Sequence, residues 1–220
     1  MRASLLLPVS LTFLLNPFAH SVFAAGKVAA KAEVVPAKTT AAGGFKSYDL
    51  DKAHSKVGFE VSHLVISTVD GQFNQFSGSF DYDEANQLMK NAKIDIDVGS
   101  ISTNEPDRDK HLKSPDFFDV AKHPKMSFED IKLVAANGKP SKVQGTLNMH
   151  GVKKEVTLDV DFKGSAKDPW GNQKIVFNLE GHLNRKDFGL NWNKALDSGG
   201  VVVGEEVKIV IKVEANMKKS

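Results

Sequence analysis

VTLDVDF, residues 156–162, puts Val156, Leu158, Val160 and Phe162 on one side and Thr157, Asp159 and Asp161 on the other. An antiparallel strand needs this alternation when one face meets the core and the other meets water. The pattern recurs along the chain. Val57, Phe59 and Val61 alternate with Gly58 and Glu60, and Ile94, Ile96 and Val98 with Asp95 and Asp97. Ile175, Phe177, Leu179 and Leu183 share one parity, as do Val207, Ile209, Ile211 and Val213. Phe76, Phe80 and Tyr82 mark a further strand, and Val143, Leu147 and Met149 another. Between Met126 and Val134 the parity slips: Met126 and Phe128 are even, Ile131 and Leu133 odd. One extra residue, a β-bulge, accounts for the slip.

Turn signals separate these segments. Asn137-Gly138 before Lys139-Pro140 is a hairpin turn, and His150-Gly151 and Asp168-Pro169-Trp170-Gly171 are two more. The stretch 105–122 is the one good helical candidate. Eight or so antiparallel strands with almost no helix to cover them must close on themselves or fold into a sandwich. Several strands span ten or more residues, long for a sandwich, so the expected fold is an all-β closed antiparallel barrel with an apolar interior and one short helical insert. A strand of about 11 residues, tilted by about 40°, makes such a barrel roughly 30 Å tall. Eight strands leave an interior that is either filled by side chains or holds one slender ligand.

The ends of the chain read differently. Arg2, the apolar run Leu5–Leu15 and the small-x-small sequence Val22-Phe23-Ala24 read as a cleavable export signal over residues 1–24. The run is shorter than the roughly 20 apolar residues of a membrane-spanning helix. Residues 25–45, rich in Ala, Lys, Val and Thr, cannot bury a core and read as a flexible leader. Residues 46–220 suit one domain. The expected location is the periplasm, with release to the medium open. The chain has no cysteine, so an exported domain of this kind relies on its core alone. A formal net charge of +2 does not provide the clustered positive field that a nucleic-acid partner requires.

The segment RDKHLKSPDFFDVAKHP, Arg108–Pro124, interrupts the strands with charge and aromatic rings. An irregular insert at the rim of a regular sheet is where a site or lid sits. Phe117 and Phe118 are read either as aromatic walls at a pocket entrance or as a plug. Phe73 and Phe76 follow the turn at Gly71. Phe188, Leu190 and Trp192 alternate, and the Trp192 ring suits a ligand with one apolar and one polar end. Leu64, Leu112, Met126 and Phe128 complete the candidate ligand contacts, with His63 and His111 placed to meet a head group. Beyond Arg2, Arg108 and Arg185 are the chain's two arginines; each is expected to be structural or ligand-facing, with nearby aspartates holding them. Asp107, Asp109, Asp116 and Asp119 are expected to cap the short helix and hold Arg108. The histidines make no H-E-x-x-H pattern, and no P-loop, dinucleotide fingerprint or nucleophile elbow is present. No cofactor, metal or catalytic residue is assigned.

Six blocks carry a family resemblance. YDLDKAHSKVGFEVSHL (Tyr48–Leu64) is followed by STVDGQFNQFSGSFDYD, ISTNEPDRDKHLKSPDFFDVAKHPKMSF, GTLNMHGVKKEV, LNRKDFGLNWN and VGEEVKI. Their order and content resemble the YceI-like family of secreted bacterial lipid-binding proteins over nearly all of residues 47–216, with Tyr48 where the family usually has Trp. The resemblance implies an extended lipocalin-like barrel and a long apolar pocket for polyisoprenoid-like or other amphipathic chains. The physical expectation agrees. Each buried methylene contributes about 0.8 kcal/mol against an association cost of about 4–15 kcal/mol, so a chain of about 20 carbons binds where one of about six does not. The expected protein is a carrier for a long-chain isoprenoid, isoprenoid quinone or fatty acid or amide, neither catalytic nor membrane-spanning, whose exposed aromatic rim would permit a homodimer. The rivals are a filled structural or stress-related barrel and a small His/Asp hydrolase.

Overall fold

Long alternating strands lay their apolar rows against one another, and the register shows how. A computed structural model describes residues 43–136, 139–197 and 199–219. The segment expected to be an export signal, most of the leader and the Asn137-Gly138 turn lie outside the described residues. The strands are β1 (Lys46–Leu50), β2 (Lys56–His63), β3 (Ser67–Phe73), β4 (Phe76–Asp83), β5 (Leu88–Asp97), β6 (Ile101–Ser102), β7 (Lys125–Ala136), β8 (Lys139–Met149), β9 (Val152–Lys167), β10 (Gln173–Asn184) and β11 (Val203–Met217), with helix α1 (Pro106–Lys113) between β6 and β7. The order β1-β4-β5-β7-β8-β9-β10-β11 closes into a ring through a β1–β11 pairing. This is the expected eight-stranded antiparallel barrel with one short helix.

Three further strands continue the ring strands at one end. β1 pairs with the last residues of β11, Leu50 opposite Ala215, while β2 pairs farther along, Val57 opposite Ile211 and Val61 opposite Val207. β1 and β2 are therefore two halves of one stave, broken at residues 51–55. β3 and β4 are halves of the next, broken at Asn74 and Gln75, and β5 runs through a short 3-10 turn into β6, which pairs with the end of β3. β7 pairs with β5 only from Ile94–Phe128 to Asp97–Lys125. Beyond that point the sheet is open between β6 and β7, and the α1 insert lies there. Its anchor is Phe118, edge-on to Phe73 with centroids 5.9 Å apart.

The inward rows match the sequence parity. Leu183, Val207, Val61 and Val69 form one level, Gly181, Ile209, Phe59 and Gly71 the next, and Leu179, Ile211, Val57 and Phe73 the third. Gly71 is required by close approach: a Cβ there would run into the ring of Phe59. The parity slip in β7 is a bulge, with Asp130 at φ 53° and the β7–β8 register shifting between Glu129 and Lys132. His150 (φ 52°) and Gly151 (φ 76°) make the two-residue turn between β8 and β9.

The other end of the barrel is plugged by aromatic rings. Tyr48 stacks on Phe80 at 5.4 Å, and Phe177 meets Phe162, Tyr82 and Phe80 at 5.0, 5.5 and 6.0 Å. Burial pushes the Tyr82 hydroxyl up to about 12, with the nearby Glu84 charge adding to it.

The break between β1 and β2 is tied from outside. Asp51 accepts from His54 Nδ1 (2.9 Å), Lys174 Nζ (3.0 Å) and Asn216 Nδ2 (3.3 Å), joining three staves. Burial works to raise the Asp51 pKa, but these hydrogen bonds and the Lys174 charge outweigh it and hold the carboxyl well below its usual 3.8. A carboxylate whose pKa is depressed by folding stabilises the fold above its unfolded pKa, and this contribution disappears as the pH falls through the folded value. Asp51→Asn should lower the melting temperature at neutral pH and flatten the acid limb below about pH 4. Melting curves across pH check this; parallel limbs for the two proteins would contradict it.

Candidate functional site: an apolar cavity with a polar mouth

The inward rows leave space inside the barrel. The main chamber has an empty volume of about 1080 Å³, including its opening. Its wall is made by inward residues of β2, β3, β5, β7, β8, β9, β10 and β11 together with Leu112, Phe117 and Phe118 of the insert. Its one charged lining residue among the described residues is Arg185. An inner chamber of about 550 Å³ continues toward the aromatic plug, and Ile94, Phe128, Leu158 and Ile211 line both spaces. A vestibule of about 630 Å³ lies on the other side; Phe59, Val61, Leu112, Phe117 and Val203 line both it and the main chamber. The vestibule is the polar part, with Ser62, His63, Thr103, Arg108, His111 and Trp192 in its wall.

The insert's local chemistry fixes these side chains. Pro106 opens α1, and Glu105 caps it, its carboxylate accepting from the backbone N–H groups of Asp107 and Arg108. Asp109 accepts from the Thr103 N–H (2.7 Å) and hydroxyl (2.6 Å). Arg108 in turn donates to the Thr103 hydroxyl (2.7 Å) and carbonyl (2.8 Å). The aspartates expected to cap the helix and to hold Arg108 directly do neither. Proline at the first helical position makes the residue before it the cap, and Thr103 stands between Asp109 and Arg108. His111 Nε2–H donates to Asp116 (2.8 Å) while its ring sits edge-on to Phe117 (5.1 Å) and Trp192 (4.9 Å). The rings of Phe117 and Trp192 lie 5.1 Å apart, joining the insert to the segment before β11.

Arg185 is 3% exposed and has no carboxylate partner among the described residues. It donates to the carbonyls of Gly204 (2.8 Å), Leu190 (2.5 Å) and Val203 (3.4 Å). Burial pushes its pKa down, with Glu205 acting the other way; a guanidinium remains charged regardless. Asp187, read from the sequence as its partner, instead pairs with Lys154 at 3.1 Å on the surface. The reason is geometric: Arg185 and Phe188 are the buried residues of the turn Arg185–Phe188, and Asp187 is exposed.

Of the candidate contacts, Phe73, Leu112, Phe117, Phe118, Met126 and Phe128 line the main chamber. His63, His111 and Trp192 line the vestibule, which Leu112 and Phe117 also reach. Three lie elsewhere. Phe76 is half-buried at the start of β4, packed against the core. Phe188 is buried, and its carbonyl accepts from His150 Nδ1 at 3.0 Å. Leu64 is exposed at the β2–β3 tip. Residues left out of the candidate set, such as Val57, Ile209 and Leu158, belong to the alternating rows, and that parity was the signal that could have found them.

A cation could be considered at Asp51, His54 and Glu214, whose ligand atoms lie within 4.8 Å of one another. The Lys174 ammonium is already bonded to both carboxylates, at 3.0 and 2.6 Å. His123 and His150 pack ring to ring at 4.6 Å, tying the end of the insert to the β8–β9 turn. No described helix is long and apolar enough to cross a membrane.

Known proteins resemble this chain in sequence and fold. A UPF0312 protein of Pseudomonas aeruginosa is 38% identical over 169 residues, 76% of this chain and 85% of that one. The crystal structure of a Campylobacter jejuni YCEI protein superposes with a TM-score of 0.55 at 33% identity, covering 77% of this chain and 96% of that chain. A polyisoprenoid binding domain from Saccharophagus degradans, implicated in plant cell wall breakdown, has the same fold: TM-score 0.55, 18% identity, 79% and 99% covered. With a YceI-like domain matched over residues 48–215, a closed eight-stranded barrel and these relatives, the chain belongs to the YceI-like family.

Proposed function

We propose that the protein is an exported carrier that encloses one long-chain amphipathic lipid, of the polyisoprenoid, isoprenoid quinone or fatty acid or amide type. The observation that carries this reading is the main chamber, whose wall is apolar apart from Arg185 and which is followed by an apolar inner chamber. In this reading the chain lies along Phe73, Leu112, Phe118, Met126 and Phe128, and the head group stays in the vestibule near His63, His111 and Trp192, with Phe117 between. The polyisoprenoid-binding description of a structural neighbour supports the ligand class. The export-like residues 1–24 support delivery to the periplasm. The exposed His111–Asp116 pair does not favour a hydrolase: among the described residues it has no hydroxyl bonded to the imidazole to act as nucleophile.

Displacement of a fluorescent prenol by straight-chain alcohols of increasing length tests the reading. Affinity should rise roughly fourfold per methylene, the equivalent of about 0.8 kcal/mol each, until the inner chamber is full. Affinity independent of length, or no displacement, would contradict it.

A further inference from the structure

The tip of the β2–β3 hairpin is Leu64-Val65-Ile66, and it is apolar, exposed and strained. Leu64 is 38% exposed, Val65 70% and Ile66 89%. Leu64 (φ 53°) and Val65 (φ 69°) both hold the left-handed backbone that suits glycine or asparagine and penalises a β-branched residue most. The hairpin turn needs this backbone but not these residues, since glycine or asparagine would make it without strain, and strain kept by aliphatic side chains at an exposed position points to function.

The tip is also the lip of the cavity mouth. His63, the residue before it, lines the vestibule. The Leu64 N–H donates to the carbonyl of Val202, another vestibule residue, at 2.9 Å. Val201 beside it is itself 36% exposed. The loop behind is held by an Ala195–Val201 bridge and a Val202 N–H to Lys194 carbonyl bond of 3.0 Å. Two loops thus carry an aliphatic edge that continues into the opening of an apolar chamber.

We infer that this lip docks the mouth of the barrel on a phospholipid bilayer. The inference rests on the lipid-carrier reading and adds how the chain is loaded. Exposed aliphatic residues on a rigid hairpin enter the boundary between head groups and acyl chains. A chain leaving the bilayer there passes from one apolar medium to another without crossing water. A bilayer both buries the lip and supplies what the chamber holds; a second copy of the protein would bury the lip but cover the mouth.

The test compares the protein purified from its own host with Ile66→Asp and Val65→Asp made in the same way. Vesicles of phosphatidylethanolamine and phosphatidylglycerol carry a fluorescent prenol, and flotation and prenol transfer are both read. A parallel titration presents the same prenol from cyclodextrin, without vesicles. Each substitution should cut flotation and transfer rate by about tenfold, the scale of one aliphatic side chain withdrawn from burial. Melting temperature and affinity from cyclodextrin should hold. Unchanged flotation and transfer, with prenol bound from cyclodextrin, would overturn the docking alone. Prenol bound by none of the three proteins would remove the carrier reading and this inference with it. A wild-type dimer that Ile66→Asp dissolves would overturn the docking in favour of a second copy.

Discussion

Arg185→Ala should lower stability to urea by about 3–5 kcal/mol, the largest effect expected of any single substitution outside the aromatic plug. The guanidinium is the donor to three carbonyls, those of Leu190, Val203 and Gly204. Truncation takes this donor from all three; the Val203 carbonyl keeps Asn193 Nδ2 at 2.7 Å, while those of Leu190 and Gly204 lose it, and an unsatisfied buried acceptor costs about 1–3 kcal/mol. It also unties the turn after β10 from the start of β11, so Leu190, a wall residue of the main chamber, loses its support. Arg185→Lys should recover part of the loss, because an ammonium lacks the planar fork that reaches all three. Asp187→Ala, by contrast, should change stability by no more than about 0.5 kcal/mol, since its partner Lys154 is an exposed lysine. Urea titrations of the three variants check this. An Asp187→Ala loss equal to that of Arg185→Ala would restore the ion-pair expectation read from the sequence.

The second large effect is on binding. Ile211 faces both the main and the inner chamber. Ile211→Trp should close the passage between them at a cost of about 1–3 kcal/mol in stability from overpacking. Ligands short enough for the main chamber should keep their affinity within a few-fold. A chain that needs the inner chamber loses burial of about four methylenes, roughly 3 kcal/mol, or on the order of a hundredfold in affinity. Displacement assays with short and long prenols measure the difference. Equal losses for both lengths would mean that the inner chamber holds no part of the chain.

The barrel was legible in the sequence because its physics is local. Alternation in Val156–Phe162 or Val207–Val213 reports one wet and one dry face wherever the partner strand lies, and the slip between Phe128 and Ile131 reported the bulge at Asp130 for the same reason. The end-to-end staves were not legible. That β1 and β2 share the edge of β11 depends on register between residues more than 140 positions apart, as in Val57 opposite Ile211, and parity carries no register. Side-chain partners failed for a related reason. Aspartates adjacent in sequence looked like partners for Arg108 and Arg185, but the arginines found a threonine and backbone carbonyls that only the folded turn brings close. Leu64 differs again: it has the parity opposite to Val57, Phe59 and Val61, which already sent it outward from the cavity that His63 faces.

Native mass spectrometry of the protein purified from its own host, followed by organic extraction, tests the central claim most directly. The account predicts one long-chain apolar molecule per protein, retained in the intact complex and recovered in the extract. A bare chain mass that persists after incubation with quinones, polyprenols and fatty amides would contradict it and leave the barrel a closed structural body.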